Sequence, residues 1–191
     1  ISGDAAETLE AGKGSDVMMG RGGSDNYKIN EGDTLQTDDV TGEIIDGDYG
    51  VAGDVINEIG GSSEDKSDSI TLSYAQSIDQ LTFTRTEIKN EEWGNTLKID
   101  VDYLKDGTVD DTLFVFDHYN QNLGFRSVEQ LFLDDGWDSN EIWNLVVGDV
   151  NAGGVDEYTG SSGQDILMAG SAASSTLYGG DTAITYFVRE V

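Results

Sequence analysis

Carboxylates are the reactive groups that this sequence supplies in greatest number. The 191-residue chain has 38 Asp and Glu residues against 10 Lys and Arg, which gives a formal net charge of −28 at pH 7. It has no Cys and only one His, so a metal site built from thiolates or imidazoles is not expected. Oxygen ligands alone favour Ca²⁺ first and Mg²⁺ second. The charge by itself fits a halophilic or simply soluble surface equally well. The spacing of the acids therefore has to distinguish a metal site from such a surface.

A nine-residue repeat supplies that spacing near both ends of the chain. Its blocks are SGDAAETLE (2–10), AGKGSDVMM (11–19), GRGGSDNYK (20–28), NAGGVDEYT (151–159) and GSSGQDILM (160–168), followed by a degraded turn that ends near residue 177. Position six is acidic, position four is mostly Gly and position eight is apolar. The acids are Glu7, Asp16, Asp25, Asp156 and Asp165, and the glycines are Gly14, Gly23, Gly154 and Gly163.

Each position of this repeat has a physical use. Gly reaches positive φ without penalty, so a glycine turn lets the backbone approach a cation and offer carbonyl oxygens. The acid at position six adds a carboxylate, and the apolar residue two positions later enters the core from a short strand. Stacked turns then bring carboxylates of neighbouring repeats around one ion. Metal-free hairpin turns are the alternative, because Gly and Asp are common turn formers, but five blocks in one frame favour calcium.

The repeat resembles the RTX nonapeptide G-G-x-G-x-D-x-U-x, which binds Ca²⁺. The resemblance implies that Asp16 and Asp25 hold one ion between them and that Asp156 and Asp165 hold another, together with carbonyls of the glycine turns. The match is imperfect where the pattern loses its Asp or Gly, at Glu7, Arg21 and Ser174. Each array is only two or three turns long, so it cannot bury much core alone.

The middle of the chain changes from acidic loops to strands. Residues 29–69 are rich in Asp and Gly, and Asp54 stands two residues before Ile56, as position six stands before position eight. Asp54 is therefore a further candidate ligand, with a solvated loop as the alternative. Period-two alternation then predicts an antiparallel sheet or sandwich with strands at 69–74, 80–86, 95–104, 111–119 and 128–135.

The alternation also predicts which side chains of these strands are buried. They are Leu81, Phe83, Leu97, Ile99, Val101, Leu113, Val115, Phe116, Leu131 and Leu133. Asp106 and Gly107 predict a two-residue hairpin turn, because a type I′ loop favours Asp-Gly. This strand order is also similar to the β-segment that follows the repeats in RTX toxins and adhesins, where it caps the open end of the β-roll.

Three other features of the sequence could be taken for sites. DVDYLKDGTVDD (100–111) begins like an EF-hand, but Lys105 stands where a Gly must turn, so a strand and hairpin explain it better. DDGWDSNE (134–141) could hold an ion through Asp134 and Asp138, with a polar turn as the alternative. His118 reads as a structural histidine, because no nucleophile motif accompanies it, and we do not expect an enzyme.

The sequence therefore predicts a mostly-β, single calcium-dependent domain over 1–191. Short calcium-binding parallel β-roll turns (2–28 and 151–177) flank an acidic segment (29–69) and an antiparallel sheet or sandwich (70–147). The resemblance implies several bound Ca²⁺ ions and a secreted, extracellular or cell-surface location. It further implies a monomeric module of a larger RTX adhesin that binds a peptide or carbohydrate, or else a ligand-free folding and capping module. Neither a nucleic-acid partner nor a membrane-spanning segment is expected.

Overall fold

Strands make up almost all of the regular structure. The computed structural model describes residues 5–32, 51–57, 68–73, 75–86, 96–116, 118, 128–134, 140–147, 155–160, 163–168, 174–179 and 184–187. The strands are β1 (Thr8–Glu10), β2 (Val17–Met18), β3 (Asn26–Ile29), β4 (Asp54–Ile56), β5 (Ser69–Ser73), β6 (Leu81–Thr86), β7 (Thr96–Val101), β8 (Asp111–Val115), β9 (Gln130–Asp134), β10 (Asn140–Val147), β11 (Val155–Thr159), β12 (Gln164–Met168), β13 (Ser174–Tyr178) and β14 (Ile184–Phe187). A 3₁₀ turn spans Ile78–Gln80. The predicted mostly-β class is confirmed.

Consecutive strands alternate between sheets over much of the chain. One sheet has seven strands in the order β1-β3-β5-β9-β10-β12-β14, and another has five in the order β2-β4-β8-β7-β6. Strands β11 and β13 form a two-stranded sheet. The pairings β1–β3, β3–β5 and β5–β9 are all parallel. As a result, strands one nine-residue block apart, such as β1 and β2, lie in different sheets. Strands two blocks apart, such as β1 and β3, are neighbours in the same sheet.

The strands of the 70–147 segment belong to mixed sheets. The expected antiparallel pairing occurs at β6–β7, β7–β8 and β9–β10. However, β5 lies parallel to β3 and β9, and β8 lies parallel to β4. Alternation of apolar and polar residues is the same in parallel and antiparallel strands that have one buried face, so the sequence pattern could not separate the two cases.

The main hydrophobic core draws on both large sheets. Met18 and Tyr27, which occupy position eight of their repeats, are 5% and 0% exposed. Every residue that the alternation predicts to be buried is buried, from Leu81 through Leu133. A second, smaller cluster lies on the other face of the five-stranded sheet. Successive side chains of a strand point to opposite faces, so Ile56 enters the main core and Val55 enters this second cluster. This outer cluster consists of Val17, Val51, Val55, Phe114 and Phe116.

The connection between β7 and β8 is a longer loop than predicted. β7 ends at Val101 and β8 begins at Asp111, so residues 102–110 separate the two strands, and the two-residue turn prediction is wrong. The Asp102 carboxylate accepts hydrogen bonds from the backbone N–H groups of Asp106 (3.2 Å) and Gly107 (2.8 Å). These bonds fold the loop back on itself and favour it over a tight turn.

Across the described part of the chain, no segment forms a helix with the length and apolar character needed to span a bilayer.

Candidate metal site

Four acids lie side by side at one edge of the seven-stranded sheet. Glu7, Asp25, Asp68 and Glu129 each stand immediately before the first residue of a strand, namely β1, β3, β5 and β9. The strand register aligns them, since Thr8 is opposite Asn26, Asn26 opposite Ser69, and Ser69 opposite Gln130. We call these four residues the first carboxylate column.

Hydrogen bonds link the first carboxylate column from strand to strand. The N–H of Glu7 donates to Oδ1 of Asp25 (2.9 Å), and the N–H of Asp25 donates to Oδ1 of Asp68 (2.8 Å). The N–H of Asp68 donates in turn to Oε2 of Glu129 (2.8 Å). Asp25, Asp68 and Glu129 therefore each accept a charge-assisted hydrogen bond from the preceding member, which fixes the orientation of the carboxylate.

A second, shorter carboxylate column consists of Asp16 and Asp54 in the five-stranded sheet. The N–H of Asp16 donates to Oδ1 of Asp54 (2.8 Å), and Asp54 is 0% exposed. The next strand places Leu113 opposite Asp54, so the column ends there. The same geometry thus occurs in both large sheets.

Glycines shape the turns that lead into both columns. Gly14 and Gly23 precede Asp16 and Asp25 by two residues and have φ values of 114° and 116°. At Gly23 a Cβ atom would lie 2.5 Å from the carbonyl carbon of Ala5. Position four of the repeat therefore requires Gly here for two reasons, the backbone conformation and the close approach of the preceding turn.

The structure pairs the acids differently from what the RTX resemblance implies. Asp16 leads into β2 and Asp25 into β3, and these strands lie in different sheets. Likewise, Asp156 is in β11 of the two-stranded sheet, whereas Asp165 is in β12 of the seven-stranded sheet. The strand pairing does not place the members of these pairs on adjacent strands, because one block of nine residues moves the chain to the other sheet. The neighbours of an acid come instead from two blocks away, as for Glu7 and Asp25, which are 18 residues apart.

The carboxyl-terminal candidates are only partly described. Asp165 is 0% exposed, follows Gly163 by two residues and accepts a hydrogen bond from Nδ2 of Asn144 (3.1 Å). Asp156 stands opposite Ser175 in the β11–β13 pair. Gly154 lies outside the described residues.

Asp134, one of the two acids proposed in the 134–141 segment, is not in either column. Asp134 is the last residue of β9, at the end of that strand away from Glu129. There it stands opposite Ser73 and Asn140 in the strand register. Asp138 lies outside the described residues.

Two members of the first column were missed by sequence reasoning. Asp68 and Glu129 lie outside the nonapeptide blocks. Only the strand register brings Asp68 next to Asp25 and Glu129 next to Asp68. A weak signal was present, because each acid precedes a buried apolar residue by two positions, Ile70 and Leu131 respectively. This is the same spacing as positions six and eight.

The loop 102–110 uses its acids for its own backbone. Besides the two bonds to Asp102, Oδ1 of Asp106 accepts from the N–H of Thr108 (2.8 Å), which lowers the pKa of Asp106. Oδ2 of Asp110 accepts from the N–H of Tyr103 (2.8 Å). These bonds stabilise the loop.

His118 lies in the interior, with 1% of its surface exposed. Its Nδ1 accepts a hydrogen bond from the N–H of Val128 (3.4 Å). Burial lowers the pKa of His118 to about 3, because the protonated ring would lose its hydration. A neutral, buried imidazole of this kind fits a structural role.

The columns place carboxylates of like charge next to one another. Adjacent strands lie about 4.8 Å apart, so successive column acids are close enough to repel one another. No group of three or more His, Cys, Asp or Glu side chains within the described residues is arranged to enclose a metal ion. The columns thus provide aligned carboxylates, and any ion held there would also need backbone carbonyl or water ligands.

A comparison of the chain with protein-family models gives no match, and neither does a comparison with curated proteins.

Proposed function

We propose that this chain is a calcium-folded, extracellular module of the RTX kind, taken from a type I-secreted adhesin. In this proposal Ca²⁺ ions bind along the two carboxylate columns and at the equivalent carboxyl-terminal turns. The chain would then be a binding module and not an enzyme. The single observation that carries the proposal is the alignment of Glu7, Asp25, Asp68 and Glu129 at the starts of four adjacent strands.

The alignment supports a cation for an electrostatic reason. Asp25 and Asp68 are 1% and 5% exposed, and their column neighbours are also acids. Buried like charges destabilise a fold unless cations or protons compensate them, and this chain has 38 acids for 10 basic side chains. Divalent cations from the medium are the simplest compensation at neutral pH.

Calcium binding would couple folding to location. Inside the cell, where free Ca²⁺ is scarce, the charged chain would remain extended and suited to a secretion channel. Outside, Ca²⁺ would bind the native state and contribute its binding free energy to folding. Extracellular calcium modules have dissociation constants of about 10⁻⁴ to 10⁻³ M, which suits such a switch.

A Ca²⁺ titration followed by circular dichroism and calorimetry tests this proposal, with Mg²⁺ as the control cation. We expect β-structure and a cooperative thermal transition to appear with Ca²⁺ and to be lost with a chelator, while Mg²⁺ restores little of either. A spectrum and melting temperature that are unchanged by the chelator would contradict the proposal. A peptide and glycan array with folded protein then tests the adhesin role, since a ligand-free folding and capping module would bind neither.

A further inference from the structure

A pocket of about 390 Å³ lies on the outer face of the five-stranded sheet. Its floor is a block of four side chains from neighbouring strands, with Lys98 opposite Phe114 and Asp100 opposite Thr112. These side chains point outward, because Ile99 and Leu113 between them are buried in the main core.

Loops before β4 and β8 provide the walls of this pocket. Val51 and Ala52 form one wall and Val109, which is 44% exposed, forms another. The first wall approaches β8 closely at Gly53, where an added Cβ would collide with the carbonyl oxygen of Thr112. The pocket is therefore built by a backbone approach that only Gly allows at this position.

The floor combines a charge-balanced polar group with an aromatic ring. Nζ of Lys98 lies 2.6 Å from Oδ2 of Asp100, and Oγ1 of Thr112 donates to Oδ1 of Asp100 (2.7 Å). The Lys98 and Asp100 side chains are 31% and 13% exposed, so the pair is more protected than Lys105–Asp79, at 48% and 64%. Phe114, Val51, Ala52 and Val109 supply apolar surface beside the polar group.

We infer that this pocket binds a single small, neutral, hydroxylated ring, the chemistry of a monosaccharide unit. An ammonium and a carboxylate side by side can donate to and accept from adjacent hydroxyls, while the C–H face of the ring packs on Phe114 and the valines. The charges of Lys98 and Asp100 already neutralise each other, so a charged ligand gains no net electrostatic attraction in the pocket. The net charge of −28 on the chain also repels anions. The volume is at the small end of ligand pockets, about 300 to 1,000 Å³, which suits one ring and not an extended chain.

This inference rests on the proposed adhesin role for its biological meaning, but its test does not depend on calcium occupying the columns. The protein is kept in saturating CaCl₂, and its fold is verified by circular dichroism before each titration. Glucose, galactose, mannose, fucose and N-acetylglucosamine are then titrated while backbone amide shifts are followed by NMR. Free amino acids and short peptides form the second arm of the experiment.

We expect at least one monosaccharide to shift the amides of residues 98–100 and 112–114 in a saturable manner. Asp100→Asn and Lys98→Gln should each weaken that binding by about tenfold or more, since each removes a charge-assisted hydrogen bond. Lys105→Gln is the matched control, because it removes one cation and one ion pair on an exposed loop, and it should leave the affinity unchanged.

Failure of the inference can be told apart from failure of the proposed function. If no sugar causes saturable shifts at these residues, or if both pocket variants bind as tightly as the native chain, the inference is overturned. Saturable shifts from amino acids or peptides alone would also overturn it. Saturable sugar binding by a protein whose fold ignores chelator would instead support the pocket and contradict the calcium proposal.

Discussion

The first carboxylate column and the loop 102–110 use the same residue type in two different settings. Asp25 is 1% exposed and lies in register with other acids across three strand pairings, so its charge faces like charges. Asp102 and Asp106 lie on a surface loop, where their carboxylates accept N–H groups of that loop. Because water screens the surface loop acids more than it screens the buried Asp25, the column has more to gain from a cation.

Replacing a glycine by alanine should give the largest difference in unfolding free energy between the two regions. Gly23→Ala should lower the free energy of unfolding by more than about 3 kcal/mol, since Cβ would meet the backbone of Ala5 and the residue has φ of 116°. Gly107→Ala should cost only about 1 kcal/mol, because φ is 88° there but no atom lies within 4 Å of the added Cβ. Urea unfolding in saturating CaCl₂ measures both, and equal costs would show that the two turns are packed alike.

A pH dependence of stability should arise in the interior, at His118. Burial holds the pKa of His118 at about 3, below its ordinary value of 6.5, so the unfolded chain binds a proton that the folded chain does not. The contribution of neutral His118 to the free energy of unfolding is therefore fully present above about pH 6.5 and is lost as the pH decreases towards 3. At pH 5 this residue alone lowers the free energy of unfolding by about 2 kcal/mol.

The measurement for His118 is urea unfolding at pH 7 and pH 5 in saturating CaCl₂. The variant His118→Gln should lose part of the difference between the two pH values, since Gln does not titrate. An identical pH dependence in the variant and the native chain would show that other groups, such as the column carboxylates, account for all of it.

Truncating a column acid should cost more than truncating a loop acid. Asp54→Ala should lower the free energy of unfolding by about 2 kcal/mol, because it leaves the N–H of Asp16 without its acceptor in a partly buried position. Asp106→Ala should leave the urea midpoint unchanged, since its partner Thr108 is exposed and can bind water. Comparable losses in the two variants would remove the distinction between column and loop.

The smallest effect is expected at the exposed ion pair of the loop. Lys105→Gln breaks the contact with Asp79 (2.7 Å) but should change the melting temperature by less than about 2 °C, because water and salt already screen the pair. Calorimetry at low and high NaCl tests this. A larger shift that disappears in high salt would show that surface charges contribute more to stability than burial suggests.

Local features of the fold could be predicted from the sequence. The alternation in 80–86 and 95–104 gave β6 and β7 within a few residues, and the buried positions followed from the same pattern. Position eight of the repeat likewise predicted the burial of Met18 and Tyr27. These predictions succeed because side-chain alternation is set by the strand itself.

The assembly of the candidate site could not be predicted in the same way. Asp68 joins Asp25 across 43 residues and Glu129 joins Asp68 across 61 residues, through parallel pairings that leave no local mark. The placement of Asp16 and Asp25 in different sheets could not be predicted for a related reason, since a nine-residue period does not reveal that alternate blocks enter different sheets. Strand register is a long-range property, and it decides which carboxylates meet.

The most direct test of the central claim separates the charge of Asp25 from its hydrogen bond. In Asp25→Asn the amide oxygen can still accept from the N–H of Glu7, but the negative charge is gone. Asp102→Asn likewise removes one negative charge from the loop, together with one of the two backbone hydrogen bonds that the Asp102 carboxylate accepts. A Ca²⁺ titration followed by circular dichroism compares both variants with the native chain.

If the column binds calcium, Asp25→Asn should raise the Ca²⁺ midpoint by about tenfold or more, while Asp102→Asn leaves it unchanged. A Ca²⁺ midpoint that is the same for Asp25→Asn and the native chain would contradict the account, since the carboxylate would then serve only as a hydrogen-bond acceptor.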